Sequence, residues 1–250
     1  MRPRVLVVAG LDPSGGAGLL ADLAALEAVG ARGWAVASAL TAQGAGGARG
    51  FLASTPRFVL EQIEALLGGR EAPRAVKTGM LATAAIVRAL AARLAERPLA
   101  RVPLVLDSVL ATTSGLPLFE AGRLSPGAAL APLLERAALV TPNLLELARL
   151  AGHDTSTDEA AVRAARLLPA RAVLVKGGHR RDDPVDLLVM GRRTTRIPGR
   201  RRPGTARGTG CRLASAIAGL LARGEPLEVA VRRAKRLVER YIDRVNAGAP

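Results

Sequence analysis

The chain has one cysteine, Cys211, and two histidines. That excludes an internal disulfide and a cysteine-built metal site, and it fits a reducing, cytoplasmic setting. Aromatic residues make up 2% of the sequence, which leaves few stacking platforms for single-stranded nucleic acid. No apolar run approaches the roughly 18 residues that a membrane span needs. The apolar stretch after Arg4 is too short for a secretory signal and runs into Asp12 without a cleavage pattern. Lysine is scarcest in proportion: of 36 basic residues only Lys77, Lys176 and Lys235 are not arginine.

What is present is ordinary for a globular protein: 250 residues, 49% of them hydrophobic and 23% charged. The length suits one large domain over residues 1–250. The formal net charge is +15, but the basic residues are spread along the chain, and the densest cluster is Arg200-Arg201-Arg202. The excess reads as an arginine-rich composition more than as a nucleic-acid footprint. Because surface charge here is arginine, a lysine close to glycine marks a place that needs a compact ammonium. Lys77 in Lys77-Thr78-Gly79-Met80 and Lys176 in Lys176-Gly177-Gly178 fit. Lys235, in a helical pattern, reads as solvent-facing.

Short apolar runs alternate with helical patterns. Val5 to Ala9, Trp34 to Leu40, Ala75 to Lys77, Pro103 to Leu106, Ala138 to Thr141 and Ala172 to Val175 read as buried strands. Gly18 to Val29, Pro56 to Leu67, Thr83 to Ala95, Asn143 to Ala151, Asp158 to Leu167, Thr209 to Ala222 and Leu227 to Val245 read as helices. Asp186 to Met190 and Thr194 to Ile197 predict a hairpin turning at Gly191-Arg192-Arg193. The stretch from Leu110 to Pro126 is the longest break. Alternating strands and helices predict an α/β fold, a three-layer α/β/α sandwich around a mostly parallel sheet. Ligands of such sheets bind beyond the carboxyl ends of the strands. Asp12, Gln43, Lys77, Asp107, Asn143 and Lys176 all follow strand ends and are expected on one edge.

Two glycine-rich segments open helices. Gly208-Thr209-Gly210-Cys211 can converge backbone N–H groups on an anion, or simply cap a helix. Cys211 in the first turn, between Arg207 and Arg212, is expected to have a lowered thiol pKa; otherwise it is a small core residue. Arg207 is expected to face phosphates, and Arg212 solvent or a neighbouring helix. Asp12-Pro13-Ser14-Gly15-Gly16-Ala17-Gly18 is neither a dinucleotide fingerprint nor a Walker loop. With Asp22 behind it, it suggests a backbone-lined pocket, against the alternative of an ordinary turn. Asp107 and Glu146 could share a divalent ion, unless Glu146 is a solvated helix residue. His153 reads as a loop residue; His179 is a candidate or a turn residue. No Ser/His/Asp or zinc spacing stands out.

Taken together, these segments resemble the hydroxymethylpyrimidine/phosphomethylpyrimidine kinases of thiamine biosynthesis, within the ribokinase-like superfamily. The resemblance runs through Ala9 to Gly18 with Ala21-Asp22, Ala39-Leu40-Thr41-Ala42-Gln43, and Val76-Lys77-Thr78-Gly79-Met80. It continues through Val105-Leu106-Asp107, Thr141-Pro142-Asn143, Lys176-Gly177-Gly178-His179 and Gly208-Thr209-Gly210-Cys211. The matches fall in order from residue 4 to about 245.

The resemblance implies ATP-dependent phosphorylation of hydroxymethylpyrimidine and then of its monophosphate. Gln43 would bond the aminopyrimidine edge and Met80 pack on the ring. Asp22 would hold the hydroxymethyl group, with the backbone of Gly16, Ala17 and Gly18 around it. Gly208, Thr209 and Gly210 would form the anion hole, and Cys211 would stand where related sugar and pyridoxal kinases carry an Asp base. Lys176, Asn143, Gly178 and Arg207 would serve ATP, and Asp107 and Glu146, with Asn143, would help place Mg²⁺. A homodimer is implied as the assembly, with no membrane or nucleic-acid partner. The sequence departs from the family at Ala206-Arg207, where Thr-His is usual, and at Arg212, where a small hydroxylated residue is usual. It also departs at Asp107-Ser108, for Asp-Pro, and at Gly44-Ala45, for Asn-Thr. The alternatives are a pyridoxine-type kinase, a ribokinase-like sugar kinase, and a non-catalytic ligand sensor or nucleic-acid binder derived from a kinase.

Overall fold

The strand Val5 to Ala9 is apolar at every position because both of its faces are covered. In the computed structural model, Leu6 and Val8 enter one core while Val5, Val7 and Ala9 enter a second. The structure describes residues 1–44, 46–69, 71–112, 115–178, 184–202, 204 and 206–248.

In chain order the elements begin β1 (Arg4–Leu11), α1 (Gly18–Ala28), β2 (Arg32–Gly44), β3 (Gly47–Ala53) and α2 (Pro56–Leu67). Then come β4 (Ala75–Thr78), β5 (Ala82–Thr83), α3 (Ala84–Leu94), β6 (Leu104–Leu106), β7 (Phe119–Glu120) and α4 (Pro126–Leu134). The second half holds β8 (Leu139–Val140), α5 (Leu144–Ala151), α6 (Asp158–Leu167), β9 (Val173–Val175), β10 (Asp186–Met190) and β11 (Arg193–Ile197). It closes with α7 (Thr209–Ala222) and α8 (Leu227–Asn246).

Nine strands form one sheet in the order β11-β10-β9-β8-β6-β4-β1-β2-β3, and β5 pairs with β7 apart from it. The six strands from β9 to β2 are parallel, and the outer β3, β10 and β11 run antiparallel to their neighbours. Helices α2 to α6 pack on the Leu6 face, and α1, α7 and α8 on the Val7 face. This is the expected three-layer α/β/α arrangement. All six parallel strands end at one edge, so the residues that follow them meet there. No helix among the described residues is long and apolar enough to cross a membrane.

Several local features differ from the sequence expectations. β2 runs past Leu40 to Gly44 and turns into β3, a strand not anticipated from its glycine-rich sequence. Exposed residues such as Leu52, 71% accessible, break the apolar alternation that marks a strand. The hairpin of β10 and β11 closes through two residues, with Met190 opposite Arg193 and Gly191 at φ 55°. α4 was not anticipated from the sequence; Ser125 caps it, and it carries Pro132 in its interior. Lys235 is buried rather than solvent-facing. Its ammonium lies 2.7 Å from Asp186 Oδ2 and donates to the carbonyls of Pro184 and Ile197, fastening α8 to the sheet edge.

Candidate active site

Asp12, buried just after β1, organises the turn into α1. Its Oδ1 accepts from the Ser14 N–H at 3.0 Å and the Ser14 hydroxyl at 2.7 Å, and its Oδ2 from the Ala17 N–H at 3.0 Å. Gly18 has φ 58°, and a β-carbon there would collide with the Gly10 carbonyl. A second glycine loop abuts the first. Gly208, with φ 68°, starts α7, and a β-carbon on it would collide with the Gly16 carbonyl. Only glycine lets the two loops touch. No side chain caps α7, so its first turn, Thr209-Gly210-Cys211, presents backbone donors and the positive end of the helix dipole to the same edge.

Lys176 stands across from that turn. A β-carbon on Gly210 would lie 3.3 Å from its Nζ. The ammonium is 3.1 Å from Asp107 Oδ1 and 3.5 Å from Glu146 Oε2. Burial works against its charge, yet the two carboxylates hold Lys176 above the ordinary lysine range. Asp107, buried and bonded by the Thr141 hydroxyl at 3.2 Å, is held below the ordinary carboxylate range: Lys176 and Lys77 outweigh its desolvation. Glu146 is half-buried rather than solvated. It also accepts from the Asn143 N–H at 2.8 Å, while the Asn143 side chain accepts from the Glu146 N–H at 2.8 Å, a reciprocal cap of α5. Asp107, Glu146, Asn143 and Lys176 are thus brought together.

Cys211 corrects an expectation. The helix terminus predicts a lowered thiol pKa, but loss of water around this half-buried thiol pushes it up to about 12. Lys77 pulls the other way, Asp107 and Asp22 add to the rise, and a bond from the Gly18 N–H opposes it. The resting side chain is a thiol.

Asp22 is engaged within the protein itself. Its carboxylate is wholly buried, receives Lys77 Nζ at 2.8 Å on each oxygen, and accepts from the Ser215 hydroxyl at 2.8 Å. These bonds join α1, β4 and α7 through one buried carboxylate. Ser215, one helical turn after Cys211, was not anticipated, although the four-residue spacing on one helix face was available as a signal.

On the acceptor side, Gln43 is half-buried near the end of β2, and its side-chain amide makes no hydrogen bond among the described residues. Met80, 6% exposed, packs its sulfur against Gly10 and belongs mainly to the core. Gly16 and Ala17 line the loop contact with Gly208. The Arg207 guanidinium, expected to face phosphates, bonds Asp12, Ser14 and the Gly44 carbonyl. Arg212 turns to the neighbouring helix as expected, stacking 3.9 Å over the Tyr241 ring of α8. The Tyr241 hydroxyl also donates to the Arg207 carbonyl at 3.2 Å, a brace that no motif announced. Gly178 is exposed with open space around it. His179 lies outside the described residues.

The phosphomethylpyrimidine kinase family model matches residues 12–249. The chain belongs to this family. Among relatives of the family, it is 38% identical over 244 residues to the hydroxymethylpyrimidine/phosphomethylpyrimidine kinase of Streptomyces coelicolor, covering 94% of this chain and 87% of that one. It is 42% identical over 246 residues to a thiamine biosynthesis bifunctional protein of Geobacter sulfurreducens, covering 95% of this chain but 48% of that one. The chain therefore spans about half the length of such bifunctional relatives. Two solved structures share the family's ribokinase-like fold. The phosphomethylpyrimidine kinase of Clostridium difficile superposes with a TM-score of 0.78 at 30% identity, over 96% of this chain and 100% of that one. The ADP complex of Staphylococcus aureus pyridoxal kinase gives 0.82 at 28% identity, over 96% and 87%.

Proposed function

We propose that the chain, as a single domain, phosphorylates hydroxymethylpyrimidine and then its monophosphate, using ATP. The observation that carries this reading is the convergence of three features on one sheet edge. The two abutting glycine loops meet there, Lys176 faces the first turn of α7, and Gln43 offers a free amide. The relative from Streptomyces coelicolor, named for both reactions and matched over most of its length, supports it. The ADP complex of a pyridoxal kinase of similar fold supports ATP as donor.

The Gln43 amide, which can donate and accept, reads the aminopyrimidine edge, while the Gly16 to Gly18 backbone walls the pocket. As the hydroxymethyl oxygen bonds to the γ-phosphorus, the bond from phosphorus to the leaving ADP oxygen breaks. The hydroxyl proton passes to Cys211 in its minor ionised form. The N–H groups of Thr209-Gly210-Cys211 and the Lys176 ammonium take up charge on the transferring phosphoryl group.

Mg²⁺ fits the donor set. Asp107 and Glu146 are hard oxygen donors close to one ammonium, and among the described residues no third His, Cys, Asp or Glu joins them in a cluster. That suits an ion which keeps water and phosphate oxygens as its other ligands. Asp107 and Glu146 would hold it, and when bound it neutralises phosphate charge. The homodimer implied by the resemblance is part of the proposal and is tested by the mass of the protein in solution.

A coupled ADP-release assay of the purified protein on hydroxymethylpyrimidine, its monophosphate and pyridoxine tests the reading. Turnover of both pyrimidines well above pyridoxine is expected. Preference for pyridoxine would overturn it in favour of the pyridoxine-type alternative.

A further inference from the structure

The segment that carries Gln43 overhangs the sheet. β2 pairs with β1 only as far as Leu40 opposite Leu11, and beyond that point it is held on one side by β3. The Thr41 hydroxyl bonds the Leu11 carbonyl at 3.1 Å and secures the base of the overhang. The register also slips between Ala42 and Gln43, which loosens the tip further.

Arg207 reaches this tip from the glycine loop. Nη1 donates to the Gly44 carbonyl at 3.1 Å and to the Ser14 hydroxyl at 3.0 Å, and Nη2 donates to Asp12 Oδ2 at 2.9 Å. Its own carbonyl is held by Tyr241. One guanidinium therefore ties the neighbour of Gln43, the turn before α1 and the residue before Gly208. The planar fork is what allows bonds to three acceptors on two segments; an ammonium cannot reproduce it. Asp12 keeps its bonds to Ser14 and Ala17 without Arg207, so the turn before α1 holds its own shape and only the tie between segments depends on the arginine.

We propose that Arg207 is a positioning residue that latches the Gln43 hairpin to the two glycine loops. The group that reads the pyrimidine is thereby held in one frame with the loop that receives the phosphoryl group. This rests on the proposed function for its kinetic consequence, but not for its structural one.

The test uses Arg207→Gln and Arg207→Lys, each confirmed as folded by thermal melting. Amide hydrogen exchange of the unliganded proteins is expected to quicken about tenfold or more at residues 41–44 and 46–50 in both variants, with the central strands unchanged. The Michaelis constant for the pyrimidine is expected to rise about tenfold in both, with that for ATP within about twofold. Unchanged hairpin exchange overturns the latch. So does full recovery by the lysine variant, which would assign the effect to charge alone, or a rise confined to ATP. If the wild-type protein turns over no pyrimidine, the function reading fails while the exchange measurement still decides the latch.

Discussion

Lys77 Nζ lies 2.8 Å from both carboxylate oxygens of Asp22, and neither side chain is exposed to solvent at all. The pair sits where β4, α1 and α7 meet, and Ser215 supplies a further bond to Asp22 Oδ1. Burial disfavours the Lys77 charge, but Asp22 holds the ammonium above the ordinary lysine range. Removing one partner strands a buried charge. Lys77→Met should therefore lose about 3–5 kcal/mol in urea denaturation, and the double change with Asp22→Leu should recover much of it. A loss in the double variant equal to the sum of the two single losses would show that the two groups are not coupled.

Cys211 gives a prediction with a definite sign. Its folded pKa is raised to about 12 from a reference of 9.0. Between those values the unfolded chain releases a proton that the folded chain keeps, so the unfolded state binds fewer protons. Stability contributed by the neutral thiol is therefore present below about pH 9 and declines as the pH rises toward 12. The thiolate is the nucleophile that displaces iodide from iodoacetamide, so at pH 8 this reagent should react with Cys211 at least about tenfold more slowly than with a free cysteine peptide. A rate equal to that of the peptide would contradict the raised value.

The two phosphorylation steps should respond differently to Cys211→Ala. The alcohol acceptor must lose a proton, and without a base its turnover should fall about 10²- to 10⁴-fold. A phosphate monoester is largely ionised at pH 7.5, since its second pKa is about 6, so the monophosphate step should fall far less. Single-substrate turnover measurements on each acceptor check this, and equal losses would remove Cys211 from the role of base.

Gly208→Ala should damage both stability and activity. Its φ of 68° disfavours a side chain, and the new methyl would press on the Gly16 carbonyl. A cost of about 1–3 kcal/mol is expected from the backbone conformation. Forcing the glycine loops apart should also lower turnover on both acceptors. Melting and activity measured on one preparation decide this, and unchanged turnover would mean that the loops need not touch.

Gln43→Leu should act on one substrate. An amide facing an aminopyrimidine leaves about 1–3 kcal/mol of unpaired polar groups when it is replaced by an alkyl chain. The Michaelis constant for the pyrimidine should rise and that for ATP should not. Equal rises would place Gln43 outside the pyrimidine site.

The layer order, the parallel strands and the edge on which the polar residues gather were legible because they follow from patterns along the chain. Val5 to Ala9 must be covered on both faces, and strands alternating with helices put the carboxyl end of each parallel strand on the same side. Asp107, Asn143 and Lys176 were legible as candidates for the same reason, and Glu146 from its place three residues after Asn143. The scarcity of lysine was informative as well, and more widely than expected. Lys77, Lys176 and Lys235 each meet a carboxylate in a buried or half-buried setting.

What the tertiary structure decided is which charges face which. Asp22 follows the first glycine loop and looks like a pocket residue, yet its place on the inner face of α1 turns it toward Lys77, with which it forms a wholly buried ion pair. Cys211 begins a helix, which by itself favours a thiolate, but the loss of water around it, with smaller additions from Asp107 and Asp22, raises its pKa despite Lys77. Arg207 is one residue from the anion loop, yet Asp12 and Gly44, distant in sequence, bring its guanidinium to the hairpin. Periodicity reports which side of an element is buried. Only the packed neighbours determine the sign of the charge on that side, how much water remains there, and which bonds are left to make.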